Sequence, residues 1–291
     1  MRFLGYIALV LVLVSCERQI PLKNFKFEEK LVVNGYNHNN SPIYCWLSTS
    51  VSTLGVPALN SIEGEVEVLL KEDNHRIYYN TAKVINGYLE LPLTAKVGKT
   101  YELQIKHDSL PPVRMIDKIP EESPSVELNN MEEDNYYLKP SVTVSDIASS
   151  NYFMLQTYIE GFSLMDGDTT WHLEQVKFEA NEKIFITNIN NQNTAVEYAL
   201  FDDAVFKNGN LKLRLNIPKH QINQMGFKPV RLEVRLSSMS AKMYNYYLAL
   251  LENNHIYGGP LATYTISSGN VENGLGIFSF YTYKRTWAPL R

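Results

Sequence analysis

Leu211-Lys212-Leu213-Arg214-Leu215-Asn216-Ile217 alternates apolar and polar side chains without a break. A period of two sends successive side chains to opposite faces of a strand, so this stretch has one face on a core and the other in water. Val230-Arg231-Leu232-Glu233-Val234-Arg235-Leu236 repeats the pattern a few residues later. These two stretches fix the fold class, and the rest of the chain agrees with them. Ile62-Glu63-Gly64-Glu65-Val66-Glu67-Val68 and Tyr101-Glu102-Leu103-Gln104-Ile105-Lys106 alternate in the same way. Leu31 to Tyr36 and Ile43 to Leu47 flank Asn37-His38-Asn39-Asn40-Ser41-Pro42, a run of turn formers. Asp73-Asn74 turns the chain toward Ile77-Tyr78-Tyr79, and Gly87-Tyr88-Leu89-Glu90-Leu91 follows. About six or seven short strands before residue 110, with no helix-period window, predict a small β-sandwich.

Pro111, Pro112, Pro120 and Pro124 crowd the next stretch, beside Glu121-Glu122. Proline removes donors from a ladder, which places a domain boundary near residue 123. The expected modules are an N-terminal β-sandwich over 27–122, whose strand order is similar to that of transthyretin-like or carboxypeptidase-regulatory-like sandwiches, and a larger antiparallel β-domain over 123–291. In the second module, strands are expected at Ser141 to Val144, Tyr152 to Ile159, Trp171 to Phe178, Lys183 to Thr187 and Val196 to Phe206. Asp166-Gly167-Asp168 and Asn208-Gly209 read as hairpin turns. One helix is expected near 240–253: Ser238 or Ser240 caps it, Met243, Tyr247, Leu250 and Leu251 share a face, and Asn253-Asn254 ends it. That apolar stripe belongs on a sheet.

The N-terminus carries a different signal. Arg2 precedes an apolar run from Phe3 to Val14, then Ser15 and Cys16. The run is shorter than the ~20 residues of a membrane-spanning helix and suits a secretory signal. Leu13-Val14-Ser15-Cys16 reads as a bacterial lipobox, with cleavage before Cys16 and acylation of its thiol and new amine. Residues 1–15 are then signal peptide and 16–26 a lipidated tether. Acyl chains hold a domain at a bilayer through about 0.8 kcal/mol per buried methylene. Only Glu17 is acidic just after the cysteine, and Arg18 follows, so the tract associated with surface export is weak.

Cleavage leaves 291 − 15 = 276 residues, and removing Arg2 leaves 26 basic against 31 acidic side chains, or about −5. An acidic chain has no electrostatic case for nucleic acid and lacks a basic cluster for anionic headgroups. The two cysteines are Cys16 and Cys45; with the first committed to lipid, no intrachain disulfide is expected. Cys45 lies in Ile43-Tyr44-Cys45-Trp46-Leu47, a buried strand in which a reactive thiol is not expected.

Catalytic and metal-binding spacings are missing. The six histidines are scattered without a metal motif, so neither metal nor cofactor is expected. Gly161-Phe162-Ser163 lacks the second glycine of a nucleophile elbow. Asp166-Gly167-Asp168 lacks the later ligands of a calcium loop. Glu132-Glu133-Asp134 and Asp202-Asp203 read as solvated loops. Gly274 and Gly276 lack the spacing of a dinucleotide loop, and a strand-entry turn is favoured over a ligand loop. The 19 tyrosines, several in groups, suit both strand packing and a contact surface for sugars or a receptor rim.

Lys30-Leu31-Val32-Val33-Asn34-Gly35, the helix after Arg231-Leu232-Glu233-Val234, and the closing Asn270-Val271-Glu272-Asn273-Gly274-Leu275-Gly276-Ile277-Phe278, together with the lipobox, resemble a Bacteroidota outer-membrane lipoprotein family, domain of unknown function 4249. The resemblance implies a non-catalytic, lipid-anchored protein of the outer membrane and cell surface. It also implies genes beside TonB-dependent receptors and an accessory role in uptake of a small nutrient, glycan or peptide. It carries no catalytic residues. Tyr244, Tyr247, Asn273, Gly274 and Gly276 are the candidate contact residues. The alternatives are a structural component of a surface complex, or a surface hydrolase acting on glycan or peptide.

Overall fold

The computed structural model describes residues 28–50, 60–121, 123–145, 152–165, 167–180, 195–206, 209–254 and 269–290. The lipobox and tether, and the strand expected at Lys183 to Thr187, lie outside them. Before residue 123 come β1 (Leu31–His38), β2 (Pro42–Thr49), β3 (Asn60–Ser61), β4 (Gly64–Glu72), β5 (His75–Val84), β6 (Tyr88–Thr94), β7 (Thr100–His107) and β8 (Leu110–Lys118). After it come β9 (Ser125–Glu133), β10 (Tyr137–Ser145), β11 (Tyr152–Met165), β12 (Asp168–Val176), β13 (Glu179–Ala180), β14 (Tyr198–Asp202) and β15 (Asn210–Pro218). The chain ends with α1 (Lys219–Asn223), β16 (Lys228–Met239), α2 (Ala241–Asn254), β17 (Val271–Glu272) and β18 (Leu275–Pro289). The protein is mainly β, as the alternating stretches require.

A nine-stranded sheet organises these elements. Its path is β12-β11-β16-β18-β1-β2-β3, with β14 also on β11 and β6 also on β2. A five-stranded sheet, β17-β8-β7-β4-β5, covers its β1–β2 end, and a four-stranded sheet, β13-β15-β10-β9, covers its β11–β16 end. Each pair of layers encloses a core, as in sandwiches. In the first core Val33, Cys45, Val68, Leu103 and Met115 alternate inward from their strands. In the second, Leu155, Leu213, Leu215, Val234 and Leu236 do the same. The two decisive stretches of the sequence are therefore facing layers of one core.

Residue 123 separates these two cores, but the sheet runs through. The first and last strands of the described chain join it: β1 lies parallel to β18, from Val32 opposite Leu275 to His38 opposite Tyr281. Phe278 and Phe280, near the C-terminus, fill the core built by the N-terminal strands. Phe280 sits 5.2 Å from Tyr101, ring centre to ring centre. The crossing itself is pinned, because buried Ser123 bonds Thr282 at 3.0 Å and accepts from the Ser238 amide at 3.3 Å.

Two expectations change. Pro111 and Pro112 do not mark a linker; they open β8, where the register with β7 shifts and β17 pairs only with Met115 and Arg114. Proline is tolerated there because an unpaired edge needs no donor. The strand expected over Val196 to Phe206 stops at Asp202, whose carboxylate accepts the Ala204 amide at 3.0 Å and starts a short 3-10 turn.

The helix α2 begins as expected, with Ser240 Oγ accepting the Met243 amide at 3.2 Å. Met243, Tyr244 and Leu251 pack with Met154, Leu200, Met239 and Ile277 on the nine-stranded sheet, on the side away from the sandwich cores. Ser240 also bonds Ser279 at 2.9 Å, and Ser279 donates to buried Asp117 on β8. One carboxylate thus ties β8, β18 and the helix start together.

Burial pushes the Asp117 carboxyl up, with the Ser279 and Ser240 hydroxyls acting in the opposite direction. The folded group then binds its proton more tightly than the unfolded one. Its contribution to stability is fully present below about pH 3.9 and is lost as pH rises toward the folded value. Asp117→Asn should flatten this part of the stability–pH profile, measured by urea midpoints across that range. A variant profile parallel to wild type would remove Asp117 from the account.

Candidate functional site: an aromatic sheet face

The nine-stranded sheet has a second face. On β18, Phe278 and Phe280 point into the core, so Ile277, Tyr281, Tyr283, Arg285 and Trp287 point the other way. By the same alternation β16 presents Arg231, Glu233 and Arg235, and β11 presents Tyr158, Glu160 and Phe162. The strand β2 presents Tyr44 and Trp46, β12 presents Trp171 and Leu173, and β1 presents Tyr36 and His38. The helix α2 covers one end of this face.

All three tryptophans of the chain lie here, and each is at least half exposed: Trp46 50%, Trp171 59% and Trp287 58%. Tryptophan is usually well buried. Trp171, Leu173 at 46% and Trp287 mark one end of the face, and Trp46 stands apart from them, level with Ile277 under α2.

The charges beneath are fixed. Glu233 is almost fully buried and accepts from Arg235 Nε at 3.1 Å and Nη2 at 2.7 Å, with Arg285 at 3.4 Å on its other oxygen. The Arg235 guanidinium lies 4.4 Å from the Tyr158 ring centre and 4.9 Å from that of Tyr283. Arg231 bonds Glu160 at 2.5 Å and sits 5.1 Å from the Trp287 ring centre. Phe162 and Trp171 are 5.7 Å apart, and Lys228 lies 5.8 Å from the Phe162 ring. Held guanidiniums next to exposed rings offer stacking and directional donors at little entropic cost. Burial pushes Tyr281 up to about 12, so it remains a neutral phenol at physiological pH. Toward the other end, Trp46 packs 5.0 Å from Tyr88, whose hydroxyl bonds Glu90 at 2.6 Å.

The sequence-derived candidates fall elsewhere. Tyr244 is 5% exposed and packs 4.6 Å from Tyr152. Tyr247 lies half-buried against Tyr36 at 6.0 Å and Tyr198 at 5.3 Å. Both seat the helix on the sheet; neither ring presents an open contact surface. Asn273, Gly274 and Gly276 form the turn where β17 passes into β18. Asn273 has φ 62° and Gly276 φ 98°. A Cβ on Gly274 would come within 2.6 Å of the Leu31 carbonyl, and one on Gly276 would strike that of Val33. Asn270 clamps the turn, donating to Phe278 O at 2.7 Å and accepting Phe278 N at 2.8 Å. The glycines let β18 approach β1, a strand entry instead of a ligand loop. Alternation alone gave no sign that the tryptophans share a face, although their exposed parity on β2 and β18 was readable.

The acidic runs point apart. Glu132 pairs with Arg214, Glu133 with Lys219 and Asp134 with Lys139. Lys139 and the Tyr136 and Tyr137 amides hold the Asp134 carboxyl down at about 2, an acid serving its own turn. The Cys45 thiol is 1% exposed, and burial pushes it up to about 12. Among the described residues no cluster of three metal-ligating side chains occurs, and no helix is long and apolar enough to cross a membrane. An open groove of 880 Å³ between β9, α1 and Leu290 is lined by Asn130, Glu133, Asn135 and Lys219.

The chain folds as two β-sandwiches joined on one sheet, with an aromatic outer face. A family model described as Domain of unknown function (DUF4249) matches residues 17–286, and the chain belongs to that family. No curated protein matches it.

Gly276→Ala should cost on the order of 2–3 kcal/mol, combining backbone strain with the Val33 contact. Gly209→Ala, where φ is 76° but no atom lies within 4 Å, should cost about 1 kcal/mol. Thermal unfolding of both variants checks the order; equal losses would refute the close-approach argument.

Proposed function

We propose that this protein is a non-catalytic, lipid-anchored accessory of the outer membrane whose aromatic sheet face holds a TonB-dependent receptor during nutrient binding or uptake. The observation that carries the reading is the exposure of all three tryptophans on one sheet face. A face serving only internal packing gains nothing from solvated indoles, whereas protein interfaces concentrate Trp, Tyr and Arg at their energetic centres. Glu233, Arg235 and Tyr158 give this face rigid backing, so little freedom is lost when a partner settles on it. The anchor and compartment rest on the Leu13-Val14-Ser15-Cys16 signal, and the receptor on the family resemblance.

The test is recovery of the tagged chain from native outer membranes in mild detergent, with its partners identified by mass spectrometry. A TonB-dependent receptor should accompany it. Trp287→Ala and Trp46→Ala should each reduce that recovery about tenfold, the scale of a 1–2 kcal/mol interface residue, with an unchanged melting temperature. Wild-type chain that brings down no receptor would sink the proposal.

A further inference from the structure

Natural sheets guard their edges with short strands, Lys or Pro, bulges, or a covering element, because an open ladder recruits other strands. Most edges here follow that rule. The strands β3, β13 and β17 are two residues long. The edge strand β5 carries Arg76 and Lys83 and a register shift opposite β4. The edge strand β9 carries Glu127, Glu132 and Glu133 and a register shift against β10.

The strand β12 is the longest edge that departs from it. It spans nine residues, Asp168–Val176, in unbroken register with β11 from Asp168 opposite Met165 to Val176 opposite Thr157. It contains no Lys, Arg or Pro and has no register shift, and its acids are Asp168 at the hairpin end and a single Glu174. Among the described residues its main chain pairs with β11 alone. Trp171 and Leu173 stand exposed on its outer face, and the hairpin it shares with β11 ends in exposed Leu164 and Met165.

We infer that β12 pairs with β12 of a second copy of this chain, antiparallel about a two-fold axis through His172. The strand's own sequence selects that occupant. A two-fold axis perpendicular to the sheet keeps outer faces together, and centring it on His172 sets Trp171 against Leu173 of the second copy, twice. Thr169 then faces Gln175, Thr170 faces Glu174, Asp168 faces Val176, and His172 faces its own copy, so no carboxylates oppose. Moving the axis to Trp171 sets Asp168 against Glu174, and moving it to Glu174 sets that carboxylate against itself. An axis on Leu173 avoids both clashes but gives up the two Trp171–Leu173 pairs. Nine residues on each strand supply about nine main-chain bonds, in the range of a standard interface. Isologous pairing closes after two copies, which leaves no open edge there to propagate. The dimer has one continuous outer face, with the tryptophans of both copies on it.

Sedimentation equilibrium of the full processed chain in density-matched detergent should give a dimer at tens of micromolar. Leu173→Lys, at an exposed site, should give a monomer with an unchanged melting temperature. His172→Cys should form a disulfide-linked dimer under mild oxidation, since opposed strand residues lie within disulfide reach. Glu65→Cys, on the other sheet, should not. His172 bonds Ser163 at 2.8 Å and stacks on Phe227. The Leu173→Lys result therefore decides the question if the cysteine variant folds poorly. A wild-type monomer at these concentrations, or a dimer indifferent to Leu173→Lys, would overturn the inference.

Discussion

The parallel contact between β1 and β18 is the constraint from which the rest of the architecture follows. It joins residues more than 230 positions apart, since Val32 faces Leu275. Parallel neighbours need a crossover, and here nearly the whole folded chain serves as one. The contact is possible because Gly274 and Gly276 let the returning backbone come close to the Leu31 and Val33 carbonyls. Once it forms, Phe278 and Phe280 enter the N-terminal core and Ser279 reaches Asp117. The same strand carries Tyr281, Tyr283, Arg285 and Trp287 onto the opposite face. A single strand therefore closes one core and furnishes the candidate surface.

This sharing accounts for the relation between the two halves of the chain. Each half buries its own alternating residues, so each has a core. Neither half has a complete sheet, because the ladder groups of β1 and β18 would lack partners if the halves separated. The segment around Ser123 follows suit. Its hydroxyl sits between β16 and β18 and cannot behave as a loose linker. Two cores therefore share one continuous sheet.

The electrostatics of that face repeat one device. Glu233 is buried but held by Arg235 and Arg285, and each Arg side chain is braced against an acid or a ring. Burying a carboxylate without such partners is costly. The consequence is a surface whose polar groups are already oriented and whose exposed rings surround them.

In the alternating stretches strand type and core side were legible, as were the helix, with Ser240 one of two candidate caps, and the turn at Gly274 and Gly276, because side-chain period and local backbone preference are properties of neighbouring residues. The strands β8 and β9 were not, since Pro111-Pro112 and the acids Glu132-Glu133 read as boundary and loop. The exposed aromatic face was not legible either. Tyr244 and Tyr247 had the composition of a binding surface, yet they lie where α2 meets the sheet. Trp46, Trp171 and Trp287 were unremarkable within their own strands. Their common face depends on the order in which β2, β18, β11 and β12 are placed side by side, and only long-range pairing sets that order. The division near residue 123 shows the same limit: proline content marked where the core changes, but hydrogen bonding between the chain's distant ends decided that the sheet does not.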